Sequence, residues 1–127
     1  MKELTKSEEQ IMQILWKLKK GFVNDIVELM PEPKPAYNTV STVIRILENK
    51  DFVSHKAFGK THEYYPLVSR VEYSDNSLNR LLNNYFDNSF HSLASFFTKN
   101  EKMTIAELET IKKMIDEELS NKKDKNL

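Results

Sequence analysis

Three prolines in five residues, Pro31, Pro33 and Pro35, divide the first half of this chain more firmly than any other feature. A proline ring fixes φ and removes the backbone N–H, so no helix can run through residues 31–35. Apolar residues recur at helical spacing on both sides. Upstream, Thr5-Lys6-Ser7-Glu8 has the form of a capping box, a hydroxyl followed three residues on by a carboxylate. Ile11, Ile14, Leu15 and Leu18 follow it, which predicts a first helix to about residue 20, with Trp16 flanking the stripe and Gly21 placed to stop it. Asn24 or Asp25 can cap a short second helix carrying Ile26, Leu29 and Met30 into the prolines. Downstream, Val40, Val43, Ile44 and Leu47 predict a third helix over about 38–50. Its opposite face carries Asn38, Ser41, Thr42, Arg45 and Asn49 and no acid, with Glu48 to one side.

Two β-rich stretches, 52–58 and 61–67, flank Gly59-Lys60 and predict a hairpin, with Pro66 at the end or edge of its second strand. Three helices and a hairpin in this order outline a winged helix-turn-helix over residues 1–72. Beyond Tyr73 the pattern changes. Leu78, Leu81, Leu82, Tyr85, Phe86, Phe90, Leu93, Phe96 and Phe97 hold a three-four spacing as one long stripe. Thr104-Ile105-Ala106-Glu107 then repeats the capping-box pattern and opens a helix with Ile105, Leu108, Ile111, Ile115 and Leu119 on one side. Residues 73–120 form the expected helical domain, and 121–127 an expected disordered tail. The fold class is therefore mainly α.

Composition removes several functions. The chain has no cysteine, so disulfides, thiol redox sensing and thiolate-bound metals are excluded. Its three histidines, His55, His62 and His91, show no metal-ligand spacing, and two glycines in all leave no phosphate-binding loop. No nucleophile elbow or His-Glu-x-x-His motif is present, so neither an enzyme nor a cofactor is expected. No apolar run is long enough to span a bilayer, and the charged residues 1–9 do not resemble a signal peptide, so a cytoplasmic location is expected.

Formal net charge is zero, with 19 basic and 19 acidic residues, but its distribution is uneven. Between Lys34 and Arg70 there are six basic residues against three acids. A helix entering the DNA major groove needs one face for its own domain and another offering polar donors and acceptors. Asn38, Ser41, Thr42 and Arg45 meet that need, while Lys56, Lys60 and His62 place positive charge on the hairpin, where a wing tracks the sugar-phosphate backbone.

In the C-terminal half, two separated helical stripes cannot bury their faces on each other alone. Large side chains worth ~1.5–3 kcal/mol each when buried require a further surface. A second copy is the expected partner, with Leu78, Leu82, Tyr85, Phe86, Phe90, Leu93, Phe96, Phe97, Ile105, Leu108, Ile111 and Ile115 at the interface. A single intramolecular helical domain is the alternative. A winged-helix protein-interaction module, which the zero net charge favours, and a ligand-sensing regulator with an aromatic pocket are the alternative functions.

The order and spacing of these segments resemble the penicillinase-repressor family, which includes regulators of β-lactamase and methicillin-resistance genes and some copper-responsive repressors. The resemblance runs from Leu4 to Glu118. It rests on Leu4-Thr5-Lys6-Ser7-Glu8 leading to Ile14-Leu15-Trp16, and on the run from Asn38 to Leu47. Lys50-Asp51-Phe52-Val53, Tyr64-Tyr65-Pro66-Leu67 and Phe90-His91-Ser92-Leu93 complete it. It implies a bacterial homodimeric repressor on an inverted-repeat operator in double-stranded promoter DNA. Residues matching the reading helix are Tyr37, Asn38, Thr39, Ser41, Thr42 and Arg45, followed by Lys50, with Lys56 and Lys60 in the wing. It further implies release by proteolysis or by loss of dimerisation, with a membrane-bound sensor metalloprotease as candidate partner. The family's cut falls within an Asn-Phe sequence, and the aligned pair here is Phe96-Phe97, so cleavage there requires a protease of different preference. Asp51 stands where the family usually has glycine. The absence of cysteine excludes copper sensing of the family's kind.

Overall fold

The computed structural model describes residues 1–126. The elements are α1 (Lys6–Leu18), α2 (Val23–Leu29), α3 (Tyr37–Asn49), β1 (Val53–Phe58), β2 (Thr61–Pro66), α4 (Arg70–Tyr85), α5 (Phe90–Thr98) and α6 (Ile105–Lys125). The chain divides into two units, Met1–Leu78 and Asn79–Leu127, with the division inside α4; the sequence places it at 72/73, within the same helix.

In the first unit, apolar stripes of α1, α2 and α3 close on one core. Ile11, Met12 and Leu15 meet Val23, Ile26, Val40, Ile44 and Leu47, with Phe52, Val53 and Tyr64 from the hairpin and Tyr73 from α4. Tyr73 reaches back across the unit, its hydroxyl accepting from the Leu4 amide at 2.9 Å. Trp16 is half-buried, and its indole N–H donates to the Val68 carbonyl at 2.8 Å. The capping box at Thr5 forms in both directions.

Two helix ends differ from expectation. α1 stops at Leu18, because Lys19 takes φ 73° and donates its amide to the Leu15 carbonyl. Gly21 is not the stop. It pairs instead with Tyr64 of β2, Gly21 N–H to Tyr64 carbonyl at 2.9 Å and Tyr64 N–H to Gly21 carbonyl at 2.8 Å. A lysine at positive φ crowds its own Cβ. Lys19→Gly should therefore raise stability by about 1 kcal/mol, read as a higher urea midpoint at unchanged slope. For α2, the residue at the cap is Phe22, not Asn24 or Asp25. Asp25 acts from inside the helix, its carboxylate accepting the Phe22 amide at 2.8 Å.

The hairpin is antiparallel with Phe58 opposite Thr61 and His55 opposite Tyr64. Gly59 at φ 64° makes the two-residue turn. Asp51 takes φ 63° between α3 and β1, as its place in the sequence requires.

In the second unit, the long stripe expected over 78–97 is interrupted. Asp87 and Asn88 both adopt positive φ, at 50° and 56°, and Asn88 donates its amide to the Leu82 carbonyl. Ser89 caps α5, and Phe86 packs on Phe96 with ring centroids 5.5 Å apart. α6 opens on the Thr104–Glu107 capping box and continues to Lys125, so residues 121–125 are helical rather than a disordered tail. Leu127 lies outside the described residues. No helix among the described residues is long and apolar enough to cross a membrane.

Candidate nucleic-acid interface

The geometry of α3 follows from its sequence. With Val40, Ile44 and Leu47 buried, Asn38, Thr42, Arg45 and Asn49 are left exposed on the opposite side, with Ser41 half-buried at the margin. The Thr42 hydroxyl donates to the Asn38 carbonyl at 2.9 Å, which leaves its lone pairs facing out. Tyr37 is exposed at the first turn. Thr39 is exposed on another flank, where it lines a cleft of about 310 Å³ with Ser7, Gln10 and the prolines. Ala36 precedes the helix and gives no side-chain cap, so the first-turn amides are not met by a capping oxygen.

The wing lies on the Tyr37 side of α3. Tyr37 and His62 line one cleft of about 300 Å³ with Phe22, Asn24, Asp25 and Thr61. Lys56 and Lys60 are exposed, and the Lys56 ammonium is 5.3 Å from the centroid of the Phe58 ring. Phe58 is itself braced edge-on by Phe22 at 5.8 Å. Burial pushes the Tyr64 hydroxyl pKa up; the nearby Glu48 charge adds to this, Arg45 opposes it, and Tyr37 adds to it.

Lys50 does not join this surface. Its ammonium bonds both carboxylate oxygens of Glu8 at 2.8 Å, and the two side chains are 22% and 4% exposed. A charge committed to an internal partner cannot also neutralise a phosphate without breaking the pair. His62 is likewise not a free surface cation. Its ring stacks on His55 at 4.0 Å with 4° between planes, and His55 Nδ1 is hydrogen-bonded to Glu48. The sequence placed His62 with Lys56 and Lys60 as positive charge on the wing and gave His55 no role there. The two-residue turn carried the missing signal, since counting back from Gly59-Lys60 puts His55 and His62 diagonally on one hairpin face.

Of the expected interface residues in the C-terminal half, Tyr85, Phe90, Phe96, Ile105 and Ile115 are exposed, and Leu78, Phe86, Leu93, Phe97, Leu108 and Ile111 are half-buried. Leu82 is 2% exposed within its own chain and so has no surface left for a partner, which removes it from the set. Met114 and Leu119 are additional large apolar residues left exposed on α6. No α6 side chain is buried.

Three helices with a hairpin wing, and a polar, outward-facing third helix beside exposed wing lysines, define a winged helix-turn-helix regulator. The family model for the penicillinase repressor matches residues 4–117. The chain belongs to that family and is a transcriptional repressor. It is 26% identical over 115 residues to the methicillin resistance regulatory protein MecI of Staphylococcus aureus (strain N315), covering 90% of this chain and 94% of that protein. The MecI of Staphylococcus epidermidis matches to the same extent, 26% over 115 residues with the same 90% and 94% coverage. Among solved structures, the DNA-binding domain of the repressor BlaI aligns with a TM-score of 0.49 at 21% identity, covering 57% of this chain and 94% of that one.

Proposed function

We propose that this chain acts in the cytoplasm as a homodimer that represses transcription by inserting α3 of each copy into the major groove of an inverted-repeat operator. The outward face of α3 carries the reading: Asn38, Thr42 and Arg45 are exposed together on a helix whose other face is locked into the core. Side chains of these types bond base edges, and an arginine can take a guanine through two bonds. Tyr37 and the uncapped first turn of α3, with Lys56 and Lys60 on the wing, supply phosphate contacts that set register without reading sequence. Thr39 and Ser41 lie at the margins of the reading face.

Dimerisation is supported by α6, 21 residues long with no side chain buried. Such a helix draws little of its stability from its own chain and needs a partner surface. Release follows if the dimer is lost, because one half-site supplies only part of the binding free energy. Cleavage by a membrane-bound sensor metalloprotease at Phe96-Phe97 would achieve this. The bond lies within α5, so that helix must unwind locally before a protease can take it in extended form.

The test is fluorescence anisotropy on duplex from the gene's own upstream region, against a scrambled duplex, over a range of salt. Tight, salt-sensitive binding that prefers the native duplex and saturates at two chains per site supports the reading. Equal or absent binding on both duplexes would favour a protein-docking module instead. Within the same assay, Arg45→Ala should weaken specific binding by about 1–3 kcal/mol and relax preference at one base position. Equal losses on both duplexes would reassign Arg45 to a phosphate.

A further inference from the structure

Glu48 is the one carboxylate on α3, and it lies on the flank turned toward the wing. Unneutralised, a carboxylate there would oppose DNA phosphates within a Debye length. His55 of β1 meets it. His55 Nδ1 is hydrogen-bonded to Glu48 Oε2, and the two side chains are 30% and 31% exposed. One face of the His55 ring is covered by His62 of β2, stacked in parallel with ring centroids 4.0 Å apart. The buried Tyr64 lies against both imidazoles, at 5.6 Å and 6.1 Å between ring centroids. From α3, Arg45 and Tyr37 act electrostatically on Tyr64, and from α2 the Asp25 carboxylate lines the cleft beside His62. Lys56 and Glu63, paired across the strands, belong to the alternate positions of the hairpin and project from its other face.

We propose that His55 is a positioning residue for DNA binding which, as the imidazolium, cancels the charge of Glu48 and thereby couples DNA binding to uptake of a proton. The proposal rests on the DNA-binding reading of α3 and the wing. Histidine changes charge between about pH 5 and 8. A neutral His55 can still donate Nδ1–H to Glu48, so the wing keeps its position while the cluster carries a full negative charge. Protonation removes that charge without moving the backbone. Of the two stacked rings, only His55 has a hydrogen bond to the carboxylate. Phosphates brought to this flank favour the protonated cluster. Affinity therefore rises as pH falls through the histidine range.

Because phosphate contacts are sequence-independent, the probe is a random-sequence duplex of about three helical turns, bound by the full chain at fixed ionic strength. Between about pH 8 and pH 6 the wild type should bind roughly three- to tenfold more tightly at the lower pH, as expected for uptake of up to one proton. Glu48→Gln should bind at the higher pH as tightly as the wild type does at the lower. His55→Gln should be weak and flat, His55→Lys tight and flat, and His91→Gln unchanged from wild type. In the DNA-free protein at fixed pH, the NMR ring signals of His55 should change on Glu48→Gln. A flat wild-type profile overturns the proposal. So does a pH dependence that survives Glu48→Gln but disappears in His62→Gln, which would make His62 a direct phosphate contact. Unchanged His55 ring signals overturn the Glu48 contact independently of DNA. A wild type with no salt-sensitive binding to any duplex overturns the DNA-binding reading and the proposal with it.

Discussion

Ile115→Asp should give a chain that is folded, monomeric and unable to hold its operator. Ile115 is 54% exposed on α6, so its replacement leaves the chain's own core intact. In the proposed dimer it occupies the middle of an apolar stripe with Leu108, Ile111 and Leu119. An uncompensated carboxylate buried there costs about 3–5 kcal/mol, enough to move the dimer equilibrium by two orders of magnitude or more. Sedimentation equilibrium should show one chain, and the salt dependence of residual DNA binding should fall to about half its slope, because half the phosphate contacts remain. A variant that stays fully dimeric would place the interface elsewhere. Phe86→Asp is a poorer probe: Phe86 packs on Phe96 of its own chain, so that change disturbs folding together with assembly.

Glu8→Ala should lower stability by about 2–3 kcal/mol, below the full cost of breaking a buried pair because Lys50 can turn partly to water. The carboxylate closes the first turn of α1 by accepting the Thr5 amide at 2.8 Å, and it receives Lys50 from the end of α3. The variant loses both links. Burial by itself would raise the Glu8 pKa, but hydrogen bonds from Lys50 and Thr5 and the charge of Lys50 outweigh it and hold the pKa below its ordinary value. A carboxyl lowered in the folded state stabilises the protein above its unfolded-state pKa and loses that contribution as pH falls through the lowered value. The gap between wild type and Glu8→Ala in urea unfolding should accordingly be widest near neutrality and shrink on acidification. A gap independent of pH would assign the loss to the packing of the Glu8 side chain and not to its charge.

The same glutamate shows what a sequence can and cannot reveal. Its capping role is local, three residues from Thr5, and was legible from the pattern alone. Its partner Lys50 lies 42 positions away, and only the packing of α1 on α3 brings the two together. Lys50 therefore read as a candidate DNA contact, because a lysine just beyond a reading helix looks free until the fold commits it. The core stripe of α3 was legible because 3.6-residue periodicity fixes both of its faces at once. The interruption at Asp87-Asn88 was not, since the apolar spacing continues across it and neither residue is a glycine or proline. Asp and Asn enter the left-handed region readily enough to turn a chain without either. Gly21 misled in the opposite sense. A glycine shortly after a helical stripe suggests a stop, while its place in the fold is beside the backbone of Tyr64.

That pairing of Gly21 with Tyr64 has a mechanical consequence for the wing. It staples the base of β2 to the loop between α1 and α2, and nearer the turn Phe22 of the same loop braces Phe58 edge-on. The hairpin is thus held twice by one short loop, through backbone pairing at its root and through a ring contact near its turn. Any shift of that loop is therefore passed to the wing near both its ends, and from His55 to α3 through Glu48.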